Sequence, residues 1–256
     1  MEKDIKFKKL RRFNIIMGFF HLIQGGLMLF LSSNFSLPVT SSFQVFDTTL
    51  NKLVPLHDTL VNLQIGPMVA AFLFLSAIAH FSVSTSAGYR WYVENISKGI
   101  NRVRWIEYSL SASLMIVIIA MLVGITDIAS LILVFSINAA MILFGWLMEL
   151  YNQNRQKINW TPYWFGVFAG AIPWVAIAVY LIGSGNEAGG PPGFVYAIFF
   201  TIFLFFNAFA VNIVLQYKKI GKWKDYLYGE RAYIVLSLVA KSALAWQVFA
   251  GTLRPV

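Results

Sequence analysis

Arg231-Ala232-Tyr233-Ile234-Val235-Leu236-Ser237-Leu238-Val239-Ala240-Lys241-Ser242-Ala243-Leu244-Ala245-Trp246 reads as a membrane-spanning helix with one lysine at its centre. About ten residues, roughly 15 Å of helix, separate Lys241 from the N-terminal end of the run, too far for its amine to reach the headgroups. An amine held at mid-membrane is destabilising, so it marks a functional site.

The rest of the chain fits this membrane setting. The 256 residues are 58% hydrophobic and only 12% charged, with a mean hydropathy of +0.68. A core of this size cannot hide that much apolar surface from water, which excludes a soluble globule. Cysteine is absent, so disulfides, thiolate metal sites and iron–sulfur clusters are excluded. Three histidines without metal-ligand spacing argue against a protein-held metal. No nucleophile–base–oxyanion constellation is visible, so an enzyme is not expected. Nothing in the pattern points to nucleic acid.

Seven apolar segments have spanning length: 13–32, 62–83, 105–124, 128–148, 162–182, 194–216 and 232–250. The first follows a basic stretch without a small-residue cleavage site and reads as a retained anchor. Seventeen of the twenty lysines and arginines fall before the first segment or in the connections after the second, fourth and sixth. Only Lys52 and Arg254 lie on the other side, and Lys241 is the remaining one. The positive-inside rule then puts the N-terminus in the cytoplasm and the C-terminus outside. Between the first two spans, Ser41-Ser42-Phe43-Gln44-Val45-Phe46 alternates polar and apolar residues before Asp47, which fits either a short β-hairpin in the first outer loop or a disordered polar loop. The stretch from Gly183 to Pro192 reads as a turn and linker. No repeat or soluble module interrupts the pattern, so residues 1–256 are expected to form a single seven-helix domain.

With depths assigned, the polar residues of the spans gather in the cytoplasmic half. Glu107 sits a few residues into the third span, and its Cα lies roughly 6 Å in depth from that of Lys241, within reach of an extended lysine. His21, Ser76 and His80 share that half, Ser76 and His80 lie on one helix face, and Ser237 is one turn before Lys241. Buried ion pairs seldom add net stability over apolar residues, so pairing for structure alone is a weak account of Glu107 and Lys241. A buried amine in its neutral form is a nucleophile toward aldehydes, and the resulting protonated Schiff base needs a counterion. Glu107 is the only carboxylate at suitable depth. Met141, Gly145, Trp164, Trp174, Phe199, Phe203, Phe206 and Trp246 on the last four spans suit a long polyene, although the same spacing also serves packing.

These residues resemble a known family. Seven helices, a carboxylate on the third and a lysine on the seventh are similar to microbial rhodopsins. The finer match is to the heliorhodopsin branch, over nearly the whole chain. It is carried by Arg104-Trp105-Ile106-Glu107-Tyr108-Ser109-Leu110-Ser111, Asn138 to Trp146, Pro191-Pro192-Gly193-Phe194-Val195-Tyr196, and Gly229-Glu230-Arg231-Ala232-Tyr233 through Gln247. The resemblance implies all-trans retinal on Lys241 as a protonated Schiff base, Glu107 as counterion, and a polar cavity of His21, Ser76, His80 and Ser237. It further implies a retinal pocket including Tyr108, Ser111, Asn138, Met141, Gly145, Trp164, Phe203 and Phe206, and a homodimer in the cell membrane. The implied role is light sensing or signalling through a cytoplasmic partner. The alternatives are a light-gated proton channel and a retinal-free seven-helix transporter using Lys241 and Glu107.

An outward proton pump of the ordinary type needs a donor carboxylate about three turns beyond Glu107 and a second one four residues before the lysine. Those positions hold Ile118 and Ser237, so pumping is not expected. A released proton would stay near His21 and His80, whose unperturbed pKa of about 6.5 suits transient acceptance. Arg104, Glu149, Tyr226 and Glu230 lie near the cytoplasmic face and are expected to form a polar lock or ordinary surface charges.

Overall fold

The computed structural model describes residues 2–185 and 189–253. Asn186 to Ala188, in the expected turn, and Arg254, one of the two basic residues assigned to the outer side, lie outside the described residues. Eight helices and one hairpin follow in the order α1 (Glu2–Leu31), β1 (Ser36–Asp47), β2 (Lys52–Gln64), α2 (Ile65–Ser82), α3 (Ser86–Ser97), α4 (Arg102–Leu122), α5 (Ile128–Asn152), α6 (Thr161–Gly185), α7 (Gly193–Tyr217) and α8 (Tyr226–Val248). All but α3 are long and apolar enough to cross a membrane, giving seven candidate spans among the described residues.

Local signals set the boundaries. Asn101, Asp127 and Asp225 cap α4, α5 and α8 by accepting from the backbone N–H of Arg104, Ser130 and Leu227 at 3.1, 2.9 and 3.0 Å. Pro162 opens α6 in its first turn, where its missing N–H is harmless. The spanning pattern does not include α3, because twelve amphipathic residues cannot cross a bilayer. This helix buries Tyr92 and Ile96 against the bundle and is started by Thr85, which accepts from Gly88 N at 3.1 Å. The basic N-terminal stretch is also helical rather than a preceding tail, so α1 begins well before residue 13.

The hairpin is longer than the short one expected, with twelve- and thirteen-residue strands. Asp47 makes its turn, accepting from Thr49 N at 2.8 Å and Leu50 N at 2.9 Å. A register irregularity between Val39 and Thr40 lets Thr40 N donate to Thr126 O at 2.9 Å, pinning the hairpin to the α4–α5 turn.

The spanning helices pack in the order α1, α2, α4, α5, α6, α7, α8, with α8 returning to α1. Contacts between connections show that the basic loops share one face: Arg11 Nε donates to Ser84 O at 2.9 Å, and Lys6 meets Asp225 at 3.3 Å. Along α1, α2 and α8, buried apolar residues near this face and near the opposite one bracket a polar band. On α2 the order is Ile65 to Leu73, then Ser76 and His80, then Val83. On α8 it is Ile234, then Ser237 and Lys241, then Leu244 to Val248. The polar band is the site.

Candidate functional site

Lys241 lies in the middle of α8 with its amine buried. Its Nζ donates to Ser76 Oγ at 2.6 Å, Glu107 Oε1 at 2.7 Å and Ser237 Oγ at 3.0 Å. An ammonium has three N–H donors, and all three are used. Ser237 is placed by helix periodicity, one turn back, whereas Ser76 and Glu107 arrive from α2 and α4. Ser76 also donates to the same Glu107 oxygen at 2.7 Å, and Ser111 stands one turn beyond Glu107 on α4. On the other side the amine faces the Tyr108 ring, 5.0 Å from its centroid.

From this amine an apolar cavity of about 270 Å³ extends between α4, α5, α6, α7 and α8. Met141, Gly145, Gly170, Trp174, Phe203 and Phe206 line it, with Lys241 and Ser237 among its few polar groups. Two glycines keep it open. A Cβ on Gly145 would run into the Trp105 ring, and one on Gly170 would run into Met141 Sδ. Such a site offers one nucleophilic nitrogen and an anion beside an otherwise apolar space.

A second polar group adjoins it. His21 and His80 stack with centroids 5.5 Å apart and planes 15° from parallel. His80 Nδ1 lies 2.7 Å from Asn14 Oδ1, while Asn14 Nδ2 donates to Leu10 O at 3.0 Å. That orients the amide so that Nδ1 is the protonated nitrogen of His80, leaving Nε2 as the acceptor. A cavity of about 40 Å³, large enough for a water, is lined by Asn14, His80, Arg104, Glu107, Tyr108 and Glu230.

Beyond it lies a buried ion cluster. The Arg104 guanidinium bridges Glu149 on α5 and Glu230 on α8. It stacks over the rings of Tyr233 at 3.9 Å and Trp105 at 4.5 Å. Asn101 Nδ2 donates to Glu230 at 2.6 Å, Asn101 N to Glu149 at 2.9 Å and Trp105 Nε1 to Glu149 at 2.6 Å. Tyr226 Oη is 3.5 Å from Glu149. On α3, burial together with the nearby Glu230 pushes the Tyr92 hydroxyl well above its ordinary range, so it stays a neutral partner for Asn101 Nδ2 at 3.4 Å.

The family model described as Heliorhodopsin matches residues 10–253. The chain belongs to the heliorhodopsin family. No curated protein matches it. Heliorhodopsins are retinal-binding photoreceptors of the rhodopsin type, and retinal is a long apolar aldehyde. The residues of this heliorhodopsin fit such a group: the cavity is apolar, two glycines hold it open, and its polar end is a lysine.

The structure brings together Lys241, Glu107, Ser76 and Ser237, stacks His21 on His80, and joins Arg104, Glu149, Tyr226 and Glu230 in one buried cluster. It places Tyr108, Met141, Gly145, Phe203 and Phe206 on the cavity wall. Three residues expected in the pocket lie off this wall. Trp164 is 63% exposed and points outward, because the α6 positions facing the cavity are Pro162, Gly166 and Gly170, half a turn away. Asn138 lies a turn short of the cavity and donates to Ser113 Oγ at 3.0 Å, pinning α5 to α4. Ser111 is buried one turn beyond Glu107 and does not line the cavity. Phe199 and Trp246 also lie off the wall; Trp246 Nε1 donates to Gln24 at 3.1 Å.

Asn14, Asn101 and Trp105 join the site without being expected there. Asn14 has a signal in the sequence, since it sits two turns before His21 on the same face of α1. Asn101 lies in a loop and Trp105 at the start of an apolar span, so only the fold shows their partners.

Proposed function

We propose that this heliorhodopsin is a light sensor in which retinal is joined to Lys241 Nζ as a protonated Schiff base, with Glu107 as counterion. One observation carries the reading: a buried amine stands at the polar end of an apolar cavity, 2.7 Å from a single carboxylate. Bound there, retinal supplies visible absorption and a light-driven isomerisation.

The chain's own residues do the rest. Once Nζ is bonded to carbon it keeps one N–H, so Ser76, Glu107 and Ser237 compete for it. Charge favours Glu107, because a hydrogen bond between ions is stronger than one to a hydroxyl. Ser76 then remains on the carboxylate and Ser237 orients the nitrogen from behind. A proton leaving Nζ would find His80 Nε2 and the narrow cavity beside Glu107, all on the basic-loop side. Ile118, fully buried among apolar residues, offers no relay toward the other side. The Arg104 cluster ties α4, α5 and α8 together on the same side and is a suitable element to pass movement of α8 to a cytoplasmic partner.

The charge split supports an N-terminus in the cytoplasm and a C-terminus outside the cell membrane, with the whole chain acting as one domain. The hairpin supports a homodimer: Phe43, Val45 and Leu56 are exposed on one of its faces, and a second copy would cover them.

Expression with all-trans retinal and a visible spectrum tests the chromophore reading. A band that disappears in Lys241→Ala is expected. A colourless wild type, or colour that survives the substitution, refutes it.

A further inference from the structure

We propose that the groove between α7 and α8 on the lipid-facing side holds one anionic phospholipid, its phosphate on Arg231 and an acyl chain along the helices. The groove has a volume of about 620 Å³ and is walled mainly by apolar side chains, among them Leu204 and Val211, which are largely exposed. At the basic-loop end its character changes. Arg231 lines the groove, and its Nε is buried without a hydrogen-bond partner among the described residues. Among the described residues no carboxylate lines the groove. The neighbouring acids are already engaged, Glu230 with Arg104 and Asn101, and Asp225 with Lys6 and the α8 N-terminus.

A guanidinium at the mouth of an apolar groove, with no anion supplied by the described residues, calls for an anion attached to something apolar. A lipid phosphate provides both, and Arg presents a planar fork suited to it. The mouth is built rather than incidental. Trp223 packs edge-on against Tyr228 at 4.9 Å and donates through Nε1 to Asn212 Oδ1 at 2.6 Å, while Lys222 Nζ lies 6.0 Å from the Tyr228 ring centroid. Aromatic rings and cations at this level match the headgroup zone, and basic pockets between spans favour anionic lipids. At its inner end the groove reaches Asn207, which also lines the chromophore cavity. The bound chain therefore ends at a wall shared with that cavity.

The test is lipid retention. The full chain is exchanged into vesicles of equal parts dioleoylphosphatidylglycerol and dioleoylphosphatidylcholine, re-extracted, and weighed by native mass spectrometry. One phosphatidylglycerol per chain is expected, enriched about fivefold or more over phosphatidylcholine, the ratio one basic contact at the surface provides. Arg231→Gln should bring the ratio to parity, while Lys218→Gln, an exposed lysine on the same face, should leave it unchanged. Ala208→Trp fills the groove with the guanidinium intact and should also remove the lipid; far-ultraviolet circular dichroism checks that each variant stays helical. An unselective wild type, a second copy or phosphatidylcholine held instead, equal loss in Lys218→Gln, or retention in Ala208→Trp overturns the proposal.

Discussion

Ser237 Oγ lies 3.0 Å from Lys241 Nζ, one helical turn away on the same face of α8. A carboxylate at that position would give the nitrogen a second counterion; a hydroxyl gives it only a neutral acceptor. Ser237→Ala should therefore keep the pigment while shifting its band. The loss in stability should be modest, about 0.6 kcal/mol, the size that side-chain hydrogen bonds between membrane helices also reach on average. A visible spectrum and a thermal melt check both. Complete loss of colour would show that the protonated nitrogen depends on the Ser237 hydroxyl and is not held by Glu107 alone.

Glu107 is the opposite case. Its carboxylate is the only anion within reach of Nζ among the described residues. Glu107→Gln keeps the shape and removes the charge, so the protonated nitrogen loses its attraction. In a pH titration the visible band should give way to a near-ultraviolet one at lower pH than in the parent. The sign follows from charge alone, since a neighbouring anion favours the charged form of a base. An unchanged titration curve would exclude Glu107 as counterion.

Illuminated cells carrying the pigment should show no sustained change in external pH. Ser237 and Ile118 stand at the two positions where an ordinary pump keeps its further carboxylates, and His21 and His80 lie on the same side of Nζ as Glu107. A light-driven pH change abolished by a protonophore would contradict the sensor reading and favour a proton-conducting one.

Much of this arrangement is legible in the amino-acid sequence. Spanning helices declare themselves by length, and the charge of their connections places each polar residue at a depth, which is how Glu107 can be matched to Lys241. Depth is not direction, however. Trp164 and Trp174 look alike in an apolar run, yet one faces outward and the other lines the cavity. Trp164→Ala should accordingly leave the absorption band where it is. The α3 helix is hard to see because its amphipathic signal is short, and Asn14 and Asn101 because an amide gains meaning only from its partner.

Arg104 is held between Glu149 and Glu230 with all three buried. Replacing it by Ala leaves two carboxylates without a cation, and breaking a buried pair in this way costs about 3–5 kcal/mol. Arg104→Lys should recover little, because one ammonium cannot reproduce the two-sided fork or the stacking on Tyr233 and Trp105. Thermal denaturation measures the loss. If the cluster also passes on movement of α8, the photocycle of a stable variant such as Glu230→Gln will change; an unchanged photocycle would leave the cluster a purely structural tie.

Gly145 gives the sharpest link between the cavity and that cluster. An added Cβ would meet the Trp105 ring, and Trp105 cannot simply withdraw because its Nε1 donates to Glu149 at 2.6 Å. Gly145→Ala must therefore push Trp105 off its partner or narrow the cavity. Overpacking of this kind costs about 1–3 kcal/mol. Trp105→Phe should relieve the collision at the expense of one hydrogen bond, about 1–3 kcal/mol where the acceptor is left buried and unmatched. If the two sites are coupled through this ring, the double substitution will be more stable than the sum of the single losses predicts, and its absorption band will return toward that of the parent. Strict additivity in both melts and spectra would show instead that the cavity wall and the ion cluster respond independently.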